Sequence, residues 1–258
     1  MLISIVTATY NSAKTVRDTF ESVLRQSFTN YEYIVVDGGS QDETIDIIRE
    51  YESIFGSKMK WFSDTDEGMY DAMNKGLSIA TGDVVGLLNS DDFFTSNDIL
   101  SIVANAFEDE SLDAVYGDVH FVKDSDLTKC VRYYSSKRFK RSWMRYGFMP
   151  AHPSFYCRRS IYEKYGTFDL TYEVAADFEC LLRLIYINKI KIKYLPIDFV
   201  TMRTRGASTS GLSSHIRILR DHQLAFKKNG VYSNVLFEFL RYSYKIGEML
   251  FCRNNSSE

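Results

Sequence analysis

The sequence is poor in the residues that mark disulfide frameworks, zinc clusters and membrane spans. Its 258 residues include only four cysteines, none of them in a C-x-x-C pair, and only three prolines. Scattered cysteines in a chain of this length predict reduced, structural thiols, which are typical of a cytoplasmic protein. No window of about 20 apolar residues occurs, so no membrane-spanning helix is expected.

The charge balance is also unremarkable for a globular domain. Lysine and arginine number 31 against 34 acidic residues, and 45% of the residues are hydrophobic. A net charge of −3 leaves the whole-molecule field uninformative about partners. No DNA- or RNA-binding module is recognisable either, so nucleic acid is not an expected partner.

Apolar runs and amphipathic segments alternate through the first half of the chain. The segments LISIVTATY, YEYIVVDGGS, MKWFSD, DVVGLLN and DAVYGDVHFV predict strands, and the stretches between them predict helices. Such alternation is typical of an α/β fold with a mostly parallel central sheet flanked by helices. Two helix boundaries are also predicted: Ser40 and Glu43 as a capping box, and Gly82 as the end of the third helix.

Polar residues follow three of the predicted strands: Thr7–Asn11, Asp37–Ser40 and Asn89–Asp92. In open parallel sheets, ligands bind outside the carboxyl ends of the strands, so these three segments, here called the carboxyl edge, predict a ligand site. The segment TATYNSAKT after the first strand has no glycine, which excludes the dinucleotide fingerprint. The phosphate-binding P-loop sequence is absent as well.

Asp91 and Asp92, here called the acid pair, follow the apolar run VVGLL and the two polar residues Asn89 and Ser90. Two adjacent carboxylates suit a hard divalent cation, which offsets their repulsion. The alternative is helix capping, but the next helical pattern starts near Asn97. A metal or substrate role is therefore favoured.

Five ordered motifs resemble those of the family 2 glycosyltransferases, which have the GT-A fold. The resemblance spans about residues 1–205 and points to bacterial enzymes that assemble surface polysaccharides. It implies a catalytic domain over 1–205, with a nucleotide-binding half (1–122) and an acceptor-side half (123–205), followed by a mobile loop and a helical C-terminal extension (206–258). The motifs are TATYN (7–11), VVDGGSQDET (35–44), DEGMYDAMNKG (66–76), GDVVGLLNSDD (82–92) and AADFECLLRL (175–184).

The resemblance assigns Thr7, Thr9 and Tyr10 to the nucleotide pocket, where the alternative is a plain strand-to-helix turn. Asp37 would accept a hydrogen bond from the base, with uracil the expected partner, because a carboxylate is a strong acceptor in a dry pocket. Its alternative role is to shape the Asp-Gly-Gly turn. Asp66 is expected to contact the nucleotide or to cap the third helix.

The resemblance also implies a divalent metal, Mg²⁺ or Mn²⁺, held by Asp92, with Asp91 assisting it or contacting the ribose. It places the catalytic base at Asp177, at the start of a helix. Ala176 stands where many members of the family have Glu, and Glu179 is the rival base. The alternative for Asp177 is a simple favourable charge at a helix N-terminus.

Three further residues are candidates for the site. His152, between two prolines, would contact the diphosphate, the metal or the acceptor, or else bond to the backbone of a turn. Arg203 and Arg205 lie in TMRTRGASTSG, which is expected to be a mobile loop that closes over the diphosphate. The alternative for that segment is a solvated linker.

Residues 129–145, here called the basic stretch, contain seven basic residues, no acidic residue and interleaved aromatics. They predict either a solvated face or a peripheral contact with anionic lipid on the inner face of the membrane. The tail has Val235, Phe239, Tyr242, Ile246 and Leu250 near one helical stripe, which predicts packing on the core or on a second copy in a homodimer.

The combined expectation is a metal-dependent inverting glycosyltransferase. Its donor would be a nucleotide-diphosphate sugar, with UDP expected, and its acceptor a glycan or a lipid-linked glycan. Two alternatives are a sugar-phosphate nucleotidyltransferase, which usually has a glycine-rich basic loop after the first strand, and a non-catalytic sugar-nucleotide-binding protein.

Overall fold

A computed structural model describes residues 1–204 and 211–238. Strands and helices alternate through the first half, as the apolar periodicity predicts. The helices are α1 (Val16–Leu24), α2 (Thr44–Phe55), α3 (Met69–Ile79), α4 (Ile99–Ala106), α5 (Arg159–Tyr165), α6 (Ala176–Leu181) and α7 (Gly211–Lys228). The strands are β1 (Ile3–Thr9), β2 (Tyr31–Asp37), β3 (Met59–Ser63), β4 (Val84–Leu87), β5 (Phe93–Phe94), β6 (Ala114–Lys123), β7 (Asp126–Tyr134), β8 (Tyr156–Arg158) and β9 (Ile192–Arg203).

The strands form one central sheet in the order β3-β2-β1-β4-β8-β6-β9-β5, with β7 paired to β6. The half of the sheet formed by β1 to β4 is parallel, because β1 pairs in parallel with both β2 and β4, and β2 with β3. The other half is mixed: β6 runs parallel to β9 but antiparallel to β7 and β8. The parallel pairings bring the carboxyl ends of β1, β2 and β4 to the same edge.

Two hydrophobic clusters cover the two faces of the sheet. Side chains alternate along each strand, so Ile5 and Tyr33 face one cluster with α1 and α2, whereas Val6 and Ile34 face the other with α3 and α6. All four side chains are at most 1% exposed. A strand buried on both faces reads as a continuous apolar run, which is why VVGLL was recognisable as β4.

Close packing explains the glycine at the centre of that strand. A Cβ atom on Gly86 would lie 2.2 Å from Tyr156 Cε1 in the neighbouring strand β8. The aromatic ring therefore occupies the space that any other side chain at position 86 would need.

The two predicted helix boundaries are wrong, and tertiary contacts explain both. Ser40 does not cap α2, because its hydroxyl donates to Asp37 Oδ1 instead. Gly82 does not end α3, which stops at Ile79; the Gly82 N–H donates to Ser4 Oγ and to Glu32 Oε1. Local sequence signals for caps were overridden by partners that lie far away in the sequence.

Glu32 organises the opposite edge of the sheet, away from the carboxyl edge. Its Oε1 atom accepts hydrogen bonds from Ser4 Oγ at 2.6 Å and Thr81 N at 2.6 Å, and Lys60 Nζ lies 2.9 Å from Oε2. Burial alone would raise the pKa of Glu32, but these donors lower it to about 2. The carboxylate therefore stays charged and ties β1, β2 and the entry to β4 together.

Among the described residues, no helix is long and apolar enough to cross a bilayer. Of the predicted C-terminal stripe, only Val235 lies within the described residues, where it is exposed. Phe239, Tyr242, Ile246 and Leu250 lie outside them.

Candidate active site

The carboxyl edge is one connected structure, because hydrogen bonds join its three loops. Asn11, which adopts a left-handed φ of 48°, receives the Gln41 N–H on Oδ1 at 2.8 Å and donates its own N–H to Ser40 Oγ at 2.8 Å. The Ser12 and Ser90 hydroxyls lie 2.8 Å apart and connect this pair of loops to the end of β4. The three polar strand ends therefore face a common site.

The three residues predicted to line the nucleotide pocket differ in their exposure. Thr7 is fully buried, and its hydroxyl donates to Leu88 O at 2.7 Å and lies 3.0 Å from the Tyr33 hydroxyl. Thr9 is also buried, but its Oγ1 atom has no hydrogen-bond partner. Tyr10 is 60% exposed. Thr9 and Tyr10 have side-chain groups free for a ligand, whereas Thr7 fastens β1 to β4.

Asp37 ends β2 with its carboxylate already hydrogen-bonded within the protein. Oδ2 accepts from Gly39 N at 3.1 Å, Ser40 N at 2.9 Å and Ser63 Oγ at 2.6 Å, while Oδ1 accepts from Ser40 Oγ. The turn-shaping role is thus present. Recognition of the base by Asp37 remains a prediction, and Oδ1 is the oxygen with spare accepting capacity.

Asp66 lies against the turn after β2. Its Oδ1 accepts the Gly68 N–H at 2.9 Å, and a Cβ atom on Gly38 would lie 2.3 Å from its Oδ2. Gly38 therefore permits the two loops to approach. The cap position of α3 is occupied by Gly68 rather than Asp66, and the nucleotide contact of Asp66 remains a prediction.

The acid pair lies between β4 and β5. Asp92 is only 1% exposed, and its Oδ2 accepts a hydrogen bond from Asn89 Nδ2 at 3.0 Å. Burial raises the pKa of both aspartates, and the charge of Asp91 raises that of Asp92 further. The prediction that these residues do not cap a helix is confirmed, because α4 begins at Ile99 with Asp98 at its cap position.

The atoms at the acid pair fit a hard divalent cation. Asn89 Oδ1 is buried next to the pair and has no hydrogen-bond partner, so an acceptor oxygen is unused there. Carboxylate and amide oxygens are the ligands that Mg²⁺ and Mn²⁺ prefer. The described part of the chain contains no group of three or more His, Cys, Asp or Glu side chains placed to hold a metal. A cation here would need oxygen ligands from outside the protein as well.

Arg203 lies beside the acid pair and not in a loop. It is the last residue of β9, it is 7% exposed, and its guanidinium pairs with Asp18 and with Asp124, the latter at 3.3 Å. The expectation of a loop from residue 201 is therefore wrong for its first part. The charge of Arg203 partly counteracts the effect of burial on the pKa of Asp91. Arg205 lies outside the described residues.

Asp177 is the second residue of α6 and has an unusual environment. Its Oδ1 accepts hydrogen bonds from Phe178 N at 2.8 Å and from the Tyr70 hydroxyl at 3.1 Å, and its Oδ2 lies 3.4 Å from His152 Nδ1. Burial alone would raise its pKa, but the contacts with His152, Phe178 and Tyr70 hold the pKa below its ordinary value. The partly buried carboxylate is therefore ionised and available as a proton acceptor.

His152 lies beside Asp177. Its Nδ1 atom is 3.4 Å from Asp177 Oδ2, and this contact lowers the pKa of Asp177. Its Nε2 atom is buried without a hydrogen-bond partner. Of the roles considered from the sequence, a bond to turn backbone is not the one observed for Nδ1, and the ligand contact of Nε2 remains a prediction. The rival base Glu179 is instead paired with Arg183 at 3.0 Å.

Two residues near Asp177 were not identified from the sequence. Tyr70 lies within the DEGMYDAMNKG motif, and its hydroxyl donates to Val174 O at 2.7 Å as well as towards Asp177. Asp221 in α7 accepts the backbone N–H groups of Val174 and Ala175. Tyr70 could have been selected from its motif, whereas nothing in the sequence around Asp221 marks it.

The basic stretch is only partly available to an external partner. Arg132 lies over the Phe121 ring, Arg141 donates to Ile190 O at 2.7 Å, and Arg145 donates to Tyr232 O at 3.1 Å. The exposed basic residues of the stretch are Lys129, Lys137, Arg138 and Lys140.

The sheet and the carboxyl edge define a glycosyltransferase of the GT-A type. The family model for glycosyl transferase family 2 matches residues 4–166. A "PGL/p-HBAD biosynthesis glycosyltransferase" of Mycobacterium tuberculosis is 31% identical over 217 residues, which cover 83% of this chain and 80% of that protein. The chain therefore belongs to glycosyl transferase family 2.

Solved structures support the fold at lower sequence identity. The 1–349 fragment of S. aureus TarS, in complex with UDP-GlcNAc, has a TM-score of 0.69 and 19% identity, over 88% of this chain and 66% of that chain. The mannosyltransferase PcManGT from Pyrobaculum calidifontis, in complex with GDP-Man and Mn²⁺, has a TM-score of 0.65 and 16% identity, over 99% of this chain and 74% of that chain.

Proposed function

We propose that this glycosyltransferase transfers a sugar from a UDP-sugar to a hydroxyl group of a glycan or lipid-linked glycan in surface polysaccharide synthesis, with inversion at the anomeric carbon. The observation that carries the proposal is the state of Asp177. A partly buried carboxylate whose pKa is held below its ordinary value by contacts with His152, Phe178 and Tyr70 is ionised at neutral pH, and this suits a general base.

The donor is proposed to lie along the carboxyl edge. Thr9 and Tyr10 offer free side-chain groups at the end of β1, and Asp37 and Asp66 lie at the adjacent loops. The choice of UDP draws on the complex of TarS with UDP-GlcNAc. The complex of PcManGT with GDP-Man shows that this fold also accepts a guanine nucleotide, so the base is the first property to test.

Asp92 and Asp91 are proposed to hold a divalent cation, with Asn89 Oδ1 as a further oxygen. When bound, the cation would neutralise the charge of the donor diphosphate and stabilise it as a leaving group. The PcManGT complex contains Mn²⁺. Two hydrogen bonds hold Asn89 and Asp92 together: Asn89 Nδ2 donates to Asp92 Oδ2 at 3.0 Å, and the Asp92 N–H donates to Asn89 O at 3.1 Å.

Asp177 is proposed to take the proton of the acceptor hydroxyl while that oxygen attacks the anomeric carbon. The new glycosidic bond forms as the bond from the anomeric carbon to the diphosphate oxygen breaks, and UDP leaves with the bonding electrons. Because attack and departure occur on opposite faces, one such step inverts the configuration. His152 and Tyr70 hold the carboxylate in one orientation, and Glu179 is not available because it pairs with Arg183.

The test is UDP release from UDP-glucose, UDP-galactose and UDP-GlcNAc with Mn²⁺, compared for wild type, Asp177→Asn and the surface control Asp46→Asn. Loss of a general base is expected to lower kcat by about 10²–10⁴-fold, with UDP affinity retained. Asp46, which is exposed on α2, should have no effect when changed. Turnover by Asp177→Asn at the wild-type rate would refute the proposed base.

We also propose that the enzyme works on the cytoplasmic face of the membrane and touches anionic lipid through Lys129, Lys137, Arg138 and Lys140. Flotation with vesicles of neutral or 30% anionic lipid tests this; binding that does not depend on anionic lipid would contradict it. We propose separately that the C-terminal extension forms a homodimer, which sedimentation velocity would detect; a monomer at all concentrations would contradict it.

A further inference from the structure

We propose that α7 positions the catalytic base, with Asp221 as the positioning residue. The inference rests on the proposed role of Asp177. The family model matches residues 4–166, and α7 begins later in the chain, at Gly211.

The first contact of α7 holds the segment that leads into α6. The residue before that helix, Ala175, has no side-chain oxygen that could cap it. Instead, Oδ2 of Asp221 accepts the Val174 N–H at 2.8 Å and the Ala175 N–H at 3.0 Å, and Asp221 is only 5% exposed. A buried carboxylate 46 and 47 positions further along the chain therefore fixes the two peptide groups that lead into α6.

The same peptide segment is fixed from its other side by Tyr70. The carbonyl of Val174 accepts the Tyr70 hydroxyl at 2.7 Å, while its N–H is held by Asp221. The Tyr70 hydroxyl is also 3.1 Å from Asp177 Oδ1. A shift of Val174 would therefore disturb a contact of the base itself.

The second contact of α7 lies immediately after the base. The ring of His222 stacks on Phe178 with 3.8 Å between centroids and 24° between planes. His222 Nδ1 is in turn 2.8 Å from Glu238 Oε2, and Gln223 Nε2 donates to Glu238 Oε1 at 2.6 Å. Consecutive residues of α7 thus hold the backbone just before Asp177 and the side chain just after it.

A base works only within hydrogen-bond reach of the proton that it removes, so loss of this support should lower the rate of the chemical step. Donor binding should not change, because the proposed donor groups lie at the carboxyl ends of β1, β2 and β4 and in the loop before α3. If Asp221 were important only for stability, its replacement would lower the melting temperature without lowering kcat selectively over donor affinity.

The experiment compares Asp221→Ala, which removes the acceptor, with Asp221→Asn, which keeps one acceptor oxygen. Val103→Ala serves as the control, because it opens the other hydrophobic cluster and lowers stability away from α6. Measurements are kcat and KM for UDP release from the UDP-sugar that wild type turns over best, UDP affinity with Mn²⁺, and hydrogen exchange of the 174–178 amides.

Asp221→Ala is expected to lower kcat at least tenfold, with KM and UDP affinity within twofold of wild type and faster exchange at 174 and 175. Asp221→Asn should recover most of kcat. The inference would be overturned if Asp221→Ala left kcat and exchange unchanged, or if it changed KM alone. It would also be overturned if both Asp221 variants lost kcat equally, or if Val103→Ala lost as much kcat as Asp221→Ala. If Asp221→Ala does not fold, Asp221→Asn decides: any fall in its kcat should come with faster exchange at 174 and 175, and a change in one without the other would overturn the inference. Wild-type turnover by Asp177→Asn would instead refute the proposed base.

Discussion

Replacing Asp92 by Asn should stabilise the metal-free protein while removing its response to metal and nucleotide. Asp92 is 1% exposed, stands next to a second carboxylate and accepts one side-chain hydrogen bond, from Asn89. An under-compensated buried polar group costs about 1–3 kcal/mol. At about 2–4 °C per kcal/mol for a chain of this size, the Asp92→Asn protein should melt about 2–12 °C higher in EDTA.

The pH dependence has a definite sign. Burial raises the pKa of Asp92 above its unfolded value, so ionisation of this group opposes folding at neutral pH. Wild type should therefore gain stability relative to Asp92→Asn as the pH falls below the folded-state pKa towards the ordinary value of 3.8, and the difference in Tm should shrink over that range.

Ligand binding should reverse the order of stability. Mn²⁺ with UDP at about 100 times the dissociation constant adds about 2.7 kcal/mol to a protein that binds them. Wild type and the control Asp46→Asn should gain this increment in differential scanning fluorimetry, and Asp92→Asn should not. A lower Tm for Asp92→Asn in EDTA, together with a normal gain from Mn²⁺ and UDP, would refute the reasoning.

Three other substitutions test separate parts of the structure. Glu32→Gln should lower the free energy of unfolding by up to about 3 kcal/mol at pH 7, since the folded pKa of about 2 lies below the ordinary 4.5. In urea unfolding, this difference from wild type should disappear as the pH falls from 4.5 towards 2. Gly86→Ala should cost about 1–3 kcal/mol in the same assay, because its Cβ would meet Tyr156, and an unchanged midpoint would contradict the packing. His152→Ala should lower kcat and shift the acid limb of the pH profile of kcat to higher pH, because the contact with His152 lowers the pKa of Asp177. An unshifted acid limb would show that His152 does not influence the ionisation of Asp177.

The sequence was sufficient wherever a feature depends on short-range pattern. Continuous apolar runs identified β1, β2 and β4, and parallel pairing then required their polar ends to share one edge. The position of Asp91 and Asp92 ahead of α4 also followed from the spacing, because the helical pattern begins several residues later.

Features that depend on distant partners could not be predicted. The Ser40 hydroxyl resembles a helix cap in sequence but binds Asp37, and Arg203 resembles a loop residue but completes β9 beside Asp18. Asp221 gave no signal, because its partners are backbone N–H groups 46 and 47 positions earlier. In each case a tertiary contact decided what the side chain does.

The configuration of the released sugar tests the central claim most directly. Proton NMR of the anomeric signal during hydrolysis of UDP-α-glucose, or of the α-linked donor that turns over fastest, needs no knowledge of the natural acceptor. A single displacement assisted by Asp177 predicts that the β-anomer appears first and mutarotates later, with product formed about 10²–10⁴-fold more slowly by Asp177→Asn. First appearance of the α-anomer, or the same product at the same rate from Asp177→Asn, would contradict the account.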